Sequence, residues 1–225
     1  MTGIIGPPGL WSDIRTRPAD AAKSRPALFL DRDGTLIEHV HYLRQADDVR
    51  LIPDAVEAVR AAHDAGWAVV IVTNQSAVGR GYFGWDAVEA VQDRMYQLLA
   101  EAGAAVDASY ACGDAPADAG GPPQSAFRKP APGMLLRARE DLVLDLSRSV
   151  IAGDGAHDLA AGKAAGLRRG ILVPTGYGVG ADEQAKARTL ADVDFAVSIG
   201  SLAGLAPSVS QRSEPETSPD DLAKR

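Results

Sequence analysis

The chain is poor in sulfur ligands, in clustered positive charge and in long apolar runs. Its 225 residues include one cysteine, Cys112, which excludes an internal disulfide framework and fits a reducing cytoplasm. His39 and His41 lie in a polar stretch with no nearby partners, too few for a metal site. No apolar run is long enough to span a bilayer, so no membrane partner is expected. Met1 to Asp20 carries prolines and charges but no apolar h-region, so no signal peptide is read there. Net charge is −7 with no basic cluster, which argues against nucleic acid as a partner. Small anionic substrates remain open, because a local site can be positive on an acidic protein.

Against these absences stands an apolar content of 46%, enough for a sizeable core. The expected organisation is one domain over residues 26–205. Residues 1–25 read as a loose arm, although Leu10, Trp11 and Ile14 could dock on the domain. Residues 206–225 are Ser/Glu/Pro/Asp-rich and read as a disordered tail. With no partner chain indicated, a monomer is the working expectation.

Between these ends, strand and helix signals alternate. Ala27 to Leu30 and Ala68 to Val72 are short buried-type runs. An irregular stretch from Glu38 to Ile52 follows the first, and Pro53-Asp54 opens a helix that stops at Gly66. Asp86 to Ala102 places Val88, Val91, Met95, Leu98 and Leu99 on one helical face. Ala108 to Cys112 reads as a strand, Gly113 to Ser125 as a loop, and Met134 to Leu142 as a helix. Val150 to Gly153 reads as a strand, His157 to Ala165 as a small-residue helix, and Ile171 to Val173 and Phe195 to Ser198 as further strands. Such alternation predicts an α/β fold with a mainly parallel sheet covered on both faces. Ligands of such folds bind at the carboxyl ends of the strands.

The polar signals fall at those ends. Asp31 and Asp33 follow the first strand, Thr73 and Asn74 the second, and Asp154 a later one. In extended chain Asp31 and Asp33 share a face while Arg32 points off. Two adjoining carboxylates repel and lose solvation, costs that a divalent cation with hard oxygen ligands would relieve. The set suits phosphoryl transfer, in which one carboxylate attacks phosphorus and the other shuttles the leaving group's proton. Thr73 would donate a hydroxyl, Lys129 beside Arg128 would supply positive charge, and Asp158 would support Asp154 from the same helix face. Taken singly, each stretch also fits an ordinary turn, a helix cap or a solvated pair. His157 alone reads as a surface residue and Cys112 as a small buried one. The joint order at successive strand ends is what points to chemistry.

Asp31-x-Asp33-Gly34-Thr35, Thr73-Asn74-Gln75-Ser76, Lys129-Pro130 and Gly153-Asp154-x-x-x-Asp158 resemble, in order, the four motifs of the haloacid dehalogenase (HAD) superfamily of phosphohydrolases. Gly79-Arg80-Gly81-Tyr82-Phe83 and Arg128-Lys129-Pro130-x-Pro132-Gly133-Met134 resemble the branch of heptose bisphosphate and histidinol phosphate phosphatases. The resemblance implies a three-layer Rossmann-like fold without a large cap domain, which the short span from Leu36 to Val72 matches. It implies Asp31 as nucleophile and Asp33 as acid/base. It implies magnesium held by the Asp31 carboxylate, the Asp33 carbonyl and Asp154. Thr73 and Lys129 would bind the transferring phosphoryl group, and Asn74 and Arg128 would help hold phosphate or sugar.

Two departures stand out. Many relatives of this branch carry a zinc-binding loop before the Arg-Lys-Pro segment. Here Cys112 begins that region, and no His or further Cys follows before Lys129, so no structural zinc is expected. Gly155 also stands after Asp154, where relatives often have a charged residue. The expectation is a cytoplasmic, magnesium-dependent phosphatase of a small phosphorylated sugar, with a heptose bisphosphate losing its 7-phosphate as the first reading. Histidinol phosphate is the alternative substrate. A phospho-accepting receiver domain is a remote rival, since no Asp ends the Ala68–Val72 strand.

Overall fold

The computed structural model describes residues 3–18, 23–122 and 124–205. The expected disordered tail lies outside them. The strands are β1 (Ile4–Ile5), β2 (Leu10–Ile14), β3 (Ala27–Leu30), β4 (Ala68–Asn74), β5 (Ala108–Cys112), β6 (Val150–Gly153), β7 (Arg169–Leu172) and β8 (Ala196–Ile199). The helices are α1 (Pro53–Asp64), α2 (Ser76–Gly79), α3 (Trp85–Glu101), α4 (Gly133–Leu142), α5 (Ala156–Ala164) and α6 (Ala181–Thr189).

All strands join one sheet in the order β1-β2-β5-β4-β3-β6-β7-β8. From β5 to β8 every pairing is parallel. β3 lies at the centre, with Phe29 opposite Val70 on one side and Ile151 on the other. Successive side chains of a strand face opposite ways, so each strand feeds two cores. Leu28, Leu30, Val69, Ile71, Val150 and Ala152 pack on one face with Val56 and Val59 of α1 and Val91 and Met95 of α3. Ala27, Phe29, Val70, Val72, Tyr110 and Ile151 pack on the other with Met134 and Leu135 of α4 and Leu159 of α5. Helices on both faces make a three-layer α/β fold. Between β3 and β4 stand only a short 3-10 turn (Ala46–Asp48) and α1, so no cap domain is inserted there.

The N-terminal arm departs from the loose reading. β2 pairs antiparallel with β5, Leu10 opposite Cys112 and Ile14 opposite Ala108, and β1 pairs with β2. Leu10 and Trp11 are buried. The Trp11 indole donates to Glu89 Oε1 (3.0 Å) and stacks on Trp85 with centroids 6.4 Å apart. Docking of these apolar side chains orders the arm as the outer strands of the sheet. Two short helices also escape the sequence pattern. α2 caps the β4 exit, and α6 is polar almost throughout, with only Ala187 buried.

Candidate active site

Parallel strands deliver their carboxyl ends to one edge of the sheet, and the polar residues collect there. Asp31 follows β3, Thr73 and Asn74 end β4, and Asp154 and Asp158 bracket the turn from β6 into α5. Lys129 arrives from the loop before α4. Its ammonium is fully buried and lies 2.6 Å from Asp31 Oδ1 and 2.5 Å from Asp158 Oδ1. It also donates to the Val72 carbonyl at 2.7 Å. Asn74 fixes the lysine's backbone: its Oδ1 accepts from Lys129 N–H (3.0 Å) and its Nδ2 donates to Lys129 O (3.1 Å).

Asp154 faces this group across two glycines. Its Oδ2 accepts from Tyr177 N–H at 2.8 Å. A Cβ on Gly34 (φ +83°) or Gly176 (φ +48°) would collide with that carboxylate, so the close approach requires glycine at both places. Thr175 Oγ1 ties the two turns together by donating to the Gly34 carbonyl. Asp158 Oδ2 accepts from Gly155 N–H at 3.0 Å, which closes the β6–α5 turn.

One carboxylate oxygen each of Asp31, Asp154 and Asp158 lies within 4.8 Å of the others. Three carboxylates against one ammonium leave excess negative charge in a desolvated place. Burial first, then the charges of Asp158 and Asp33, push Asp31 up to about 6 despite the pull of Lys129. Burial and the Asp31 charge push Asp154 up to about 8, against the Tyr177 N–H. Burial would raise Asp158 as well, but His157 and Lys129 outweigh it and hold it low. Burial works against the Lys129 charge, and Asp158 and Asp31 more than restore it. The two carboxyls for which the protein leaves the charged form short of partners are therefore Asp31 and Asp154. An all-oxygen donor set of this kind fits a hard divalent cation.

Asp33 stands one step outside the cluster. Its carboxylate receives Arg32 Nε (3.1 Å) and Nη2 (3.0 Å to Oδ2), and Gln75 Nε2 at 2.9 Å. Arg32 thus folds back on its neighbour and is 1% exposed, where the strand pattern pointed it away. The same Gln75 amide donates to Thr73 Oγ1 at 2.9 Å, so it bridges Asp33 and Thr73. Above them lies a cavity of about 310 Å³. Asp31, Asp33, Thr73, Asn74, Arg128 and Asp154 line it.

Residues 30–166 match the model of the haloacid dehalogenase-like hydrolases. The chain belongs to this family. It is 45% identical over 168 residues to D-glycero-beta-D-manno-heptose-1,7-bisphosphate 7-phosphatase of Mesorhizobium japonicum, covering 74% of this chain and 77% of that one. Its fold matches a HAD-like phosphatase from Mesorhizobium loti with a TM-score of 0.77 and 38% identity, over 92% and 95% of the two chains. It matches D,D-heptose 1,7-bisphosphate phosphatase from B. bronchiseptica, complexed with magnesium and phosphate, with a TM-score of 0.70 and 31% identity, over 83% and 98%.

Every site residue read from this HAD sequence reaches the same strand-end region. The structure adds neighbours to which the sequence reading gave no role, among them His157, read there as a surface residue. Gln75 and Arg80 line the cavity, as do His39, His157 and Tyr177. Gln75 and Arg80 sat inside stretches already noted, but nothing local marks which of their side chains turns inward. Arg80 Nε is buried without a hydrogen-bond partner. Cys112 is fully buried in the core, and burial raises its thiol.

Proposed function

We propose that this phosphoric monoester hydrolase removes the 7-phosphate of a D-glycero-D-manno-heptose 1,7-bisphosphate through an aspartyl phosphate. The observation that supports the chemistry is the buried Lys129 ammonium shared between Asp31 and Asp158, with Asp154 beside them. The relatives' names supply the substrate.

In this reading Asp31 attacks phosphorus from the cavity floor. Lys129 offsets charge on the equatorial oxygens, and the Thr73 hydroxyl donates to one of them. Asp33, steered by Arg32 and Gln75, protonates the sugar oxygen as it leaves and then takes a proton from the hydrolytic water. Asp158 acts on Lys129 rather than on substrate. Asp31, Asp154 and the Asp33 carbonyl would hold magnesium, which supplies charge neutralisation at the phosphoryl oxygens. Asn74 acts by fixing the Lys129 backbone while lining the substrate cavity.

The far end of the substrate falls to the guanidinium groups. Arg128 and Arg80 both line the cavity and lie close enough for Arg80 to depress the ionisation of Arg128, second to burial among the causes that lower it. Two such groups suit a second, non-reacting phosphate. Histidinol phosphate has no second phosphate to offer them. The lone buried Cys112 suits a reducing compartment, and no structural zinc and a cytoplasmic location are parts of this proposal.

The test is phosphate release from both anomers of the heptose bisphosphate and from histidinol phosphate, with the surviving phosphate located by phosphorus NMR. The bisphosphate should lose its 7-phosphate with the higher kcat/KM. Higher efficiency on histidinol phosphate would reverse the reading.

A further inference from the structure

The loop that presents Arg128 is held from the opposite side by the N-terminal arm. β2 runs along β5 up to the Leu10–Cys112 pair, and the contact continues past the strand: Gly113 N–H donates to the Gly9 carbonyl at 2.8 Å. The Gly113 carbonyl in turn accepts from Gly79 N–H at 2.8 Å. Gly9 (φ +82°) turns so tightly that a Cβ there would collide with the Asp114 carboxylate. Asp114 is thus pinned between the arm and the end of α2.

From that position Asp114 reaches Arg128 twice. Its backbone carbonyl accepts from Arg128 Nη1 at 3.0 Å. Its carboxylate accepts from the Ser125 hydroxyl at 2.6 Å, and Ser125 Oγ accepts from Arg128 N–H at 3.0 Å. The guanidinium and the backbone of one cavity-lining residue are therefore both anchored on Asp114, eleven residues from Ser125 in sequence.

We propose that Asp114, through Ser125, is a positioning residue for substrate selectivity, and that the β1–β2 arm is its support. The proposal rests on the reading of Arg128 as a ligand of the second phosphate. A long arginine side chain loses considerable rotamer freedom on binding. Holding both its ends beforehand lowers that cost, as preorganisation does in general. Asp114 bonds to Ser125 and Arg128, not to the cluster around Lys129, so its effect should fall mainly on the far end of the substrate.

The experiment compares kcat/KM for the heptose 1,7-bisphosphate with that for the 7-monophosphate of the same sugar. Ser125→Ala and Asp114→Ala should each lower this ratio by about fivefold, mainly through a raised KM for the bisphosphate. Asp114→Asn keeps an acceptor for the Ser125 hydroxyl and should retain most of the ratio. Arg128→Gln serves as the reference and should lower the ratio by at least as much. A normal ratio in Ser125→Ala beside a lowered ratio in Arg128→Gln would overturn the positioning role alone. Equal losses on both substrates in Ser125→Ala would make the network general scaffold, and overturn it too. An unchanged ratio in Arg128→Gln would remove the second-phosphate reading and this inference with it.

Discussion

The molecule buries carboxylates in two regions of the sheet, and it treats them in opposite ways. Asp107, just before β5, receives the Val69 amide at 2.8 Å, Arg25 at 2.9 Å and His63 at 3.1 Å. Burial would raise its ionisation, but these three donors outweigh burial and hold it below the ordinary carboxylate range. Asp31 and Asp154, at the strands' other ends, are raised to about 6 and about 8. One region has satisfied its buried charge with protein donors. The other has gathered more negative charge than its single lysine offsets. A folded protein keeps such an imbalance where a ligand or a reacting group completes it.

The largest effect should come from breaking the unsatisfied region. Asp31→Asn keeps the shape but removes the attacking charge, so turnover should fall by about three orders of magnitude or more, with the fold intact by circular dichroism. Activity near wild type would remove the nucleophile. Asp33→Asn should be nearly as severe on a sugar phosphate and milder on a nitrophenyl ester, whose leaving group hardly needs a proton. Equal losses on the two esters would argue against the acid role.

Breaking the satisfied region should cost stability instead. Asp107→Ala leaves Arg25 and His63 facing a buried gap, and should destabilise by about 3 kcal/mol in urea unfolding while leaving kcat close to wild type. Because the folded-state ionisation of Asp107 is depressed, its contribution is present above the ordinary carboxylate range. It is lost as pH falls through the lower folded value. The Asp107→Ala penalty should therefore shrink in acid.

The sign reverses at Asp154. A carboxylate raised from 3.8 to about 8 holds its proton in the folded, metal-free chain while the unfolded chain has lost it. Stability then falls as pH rises across that window. Metal-free Asp154→Asn should melt higher than metal-free wild type, with the gap widening from acid toward pH 8, and should be inactive when magnesium is restored. A lower melting temperature at every pH would show that Asp154 is satisfied without a cation.

The same contrast explains what was legible in the sequence. Asp31, Asp33, Thr73 and Asp154 lie next to strongly apolar runs, so their strand-end placement followed from short-range pattern alone, whereas Asp158 lies in the first turn of α5. Lys129 was legible by motif, but its bond to Asn74 crosses 55 residues, and no local signal carries that pairing. The β1–β2 arm escaped because β2 alternates poorly: Leu10 and Trp11 are consecutive and both buried, and Asp13 is buried too. Its strand character comes from β5 and from Trp85, not from its own period. α6 escaped because Ala-Asp-Glu-Gln-Ala-Lys-Ala-Arg-Thr has no apolar stripe to read.

In the proposed chemistry Asp31 carries the phosphoryl group between sugar and water. The stereochemical course of hydrolysis tests it most directly, using a phosphoryl group made chiral with oxygen isotopes and water of the complementary isotope. Two successive in-line displacements, the first by Asp31, predict retention of configuration at phosphorus. Inversion would mean a single direct attack by water, with no phosphoryl group ever carried on Asp31.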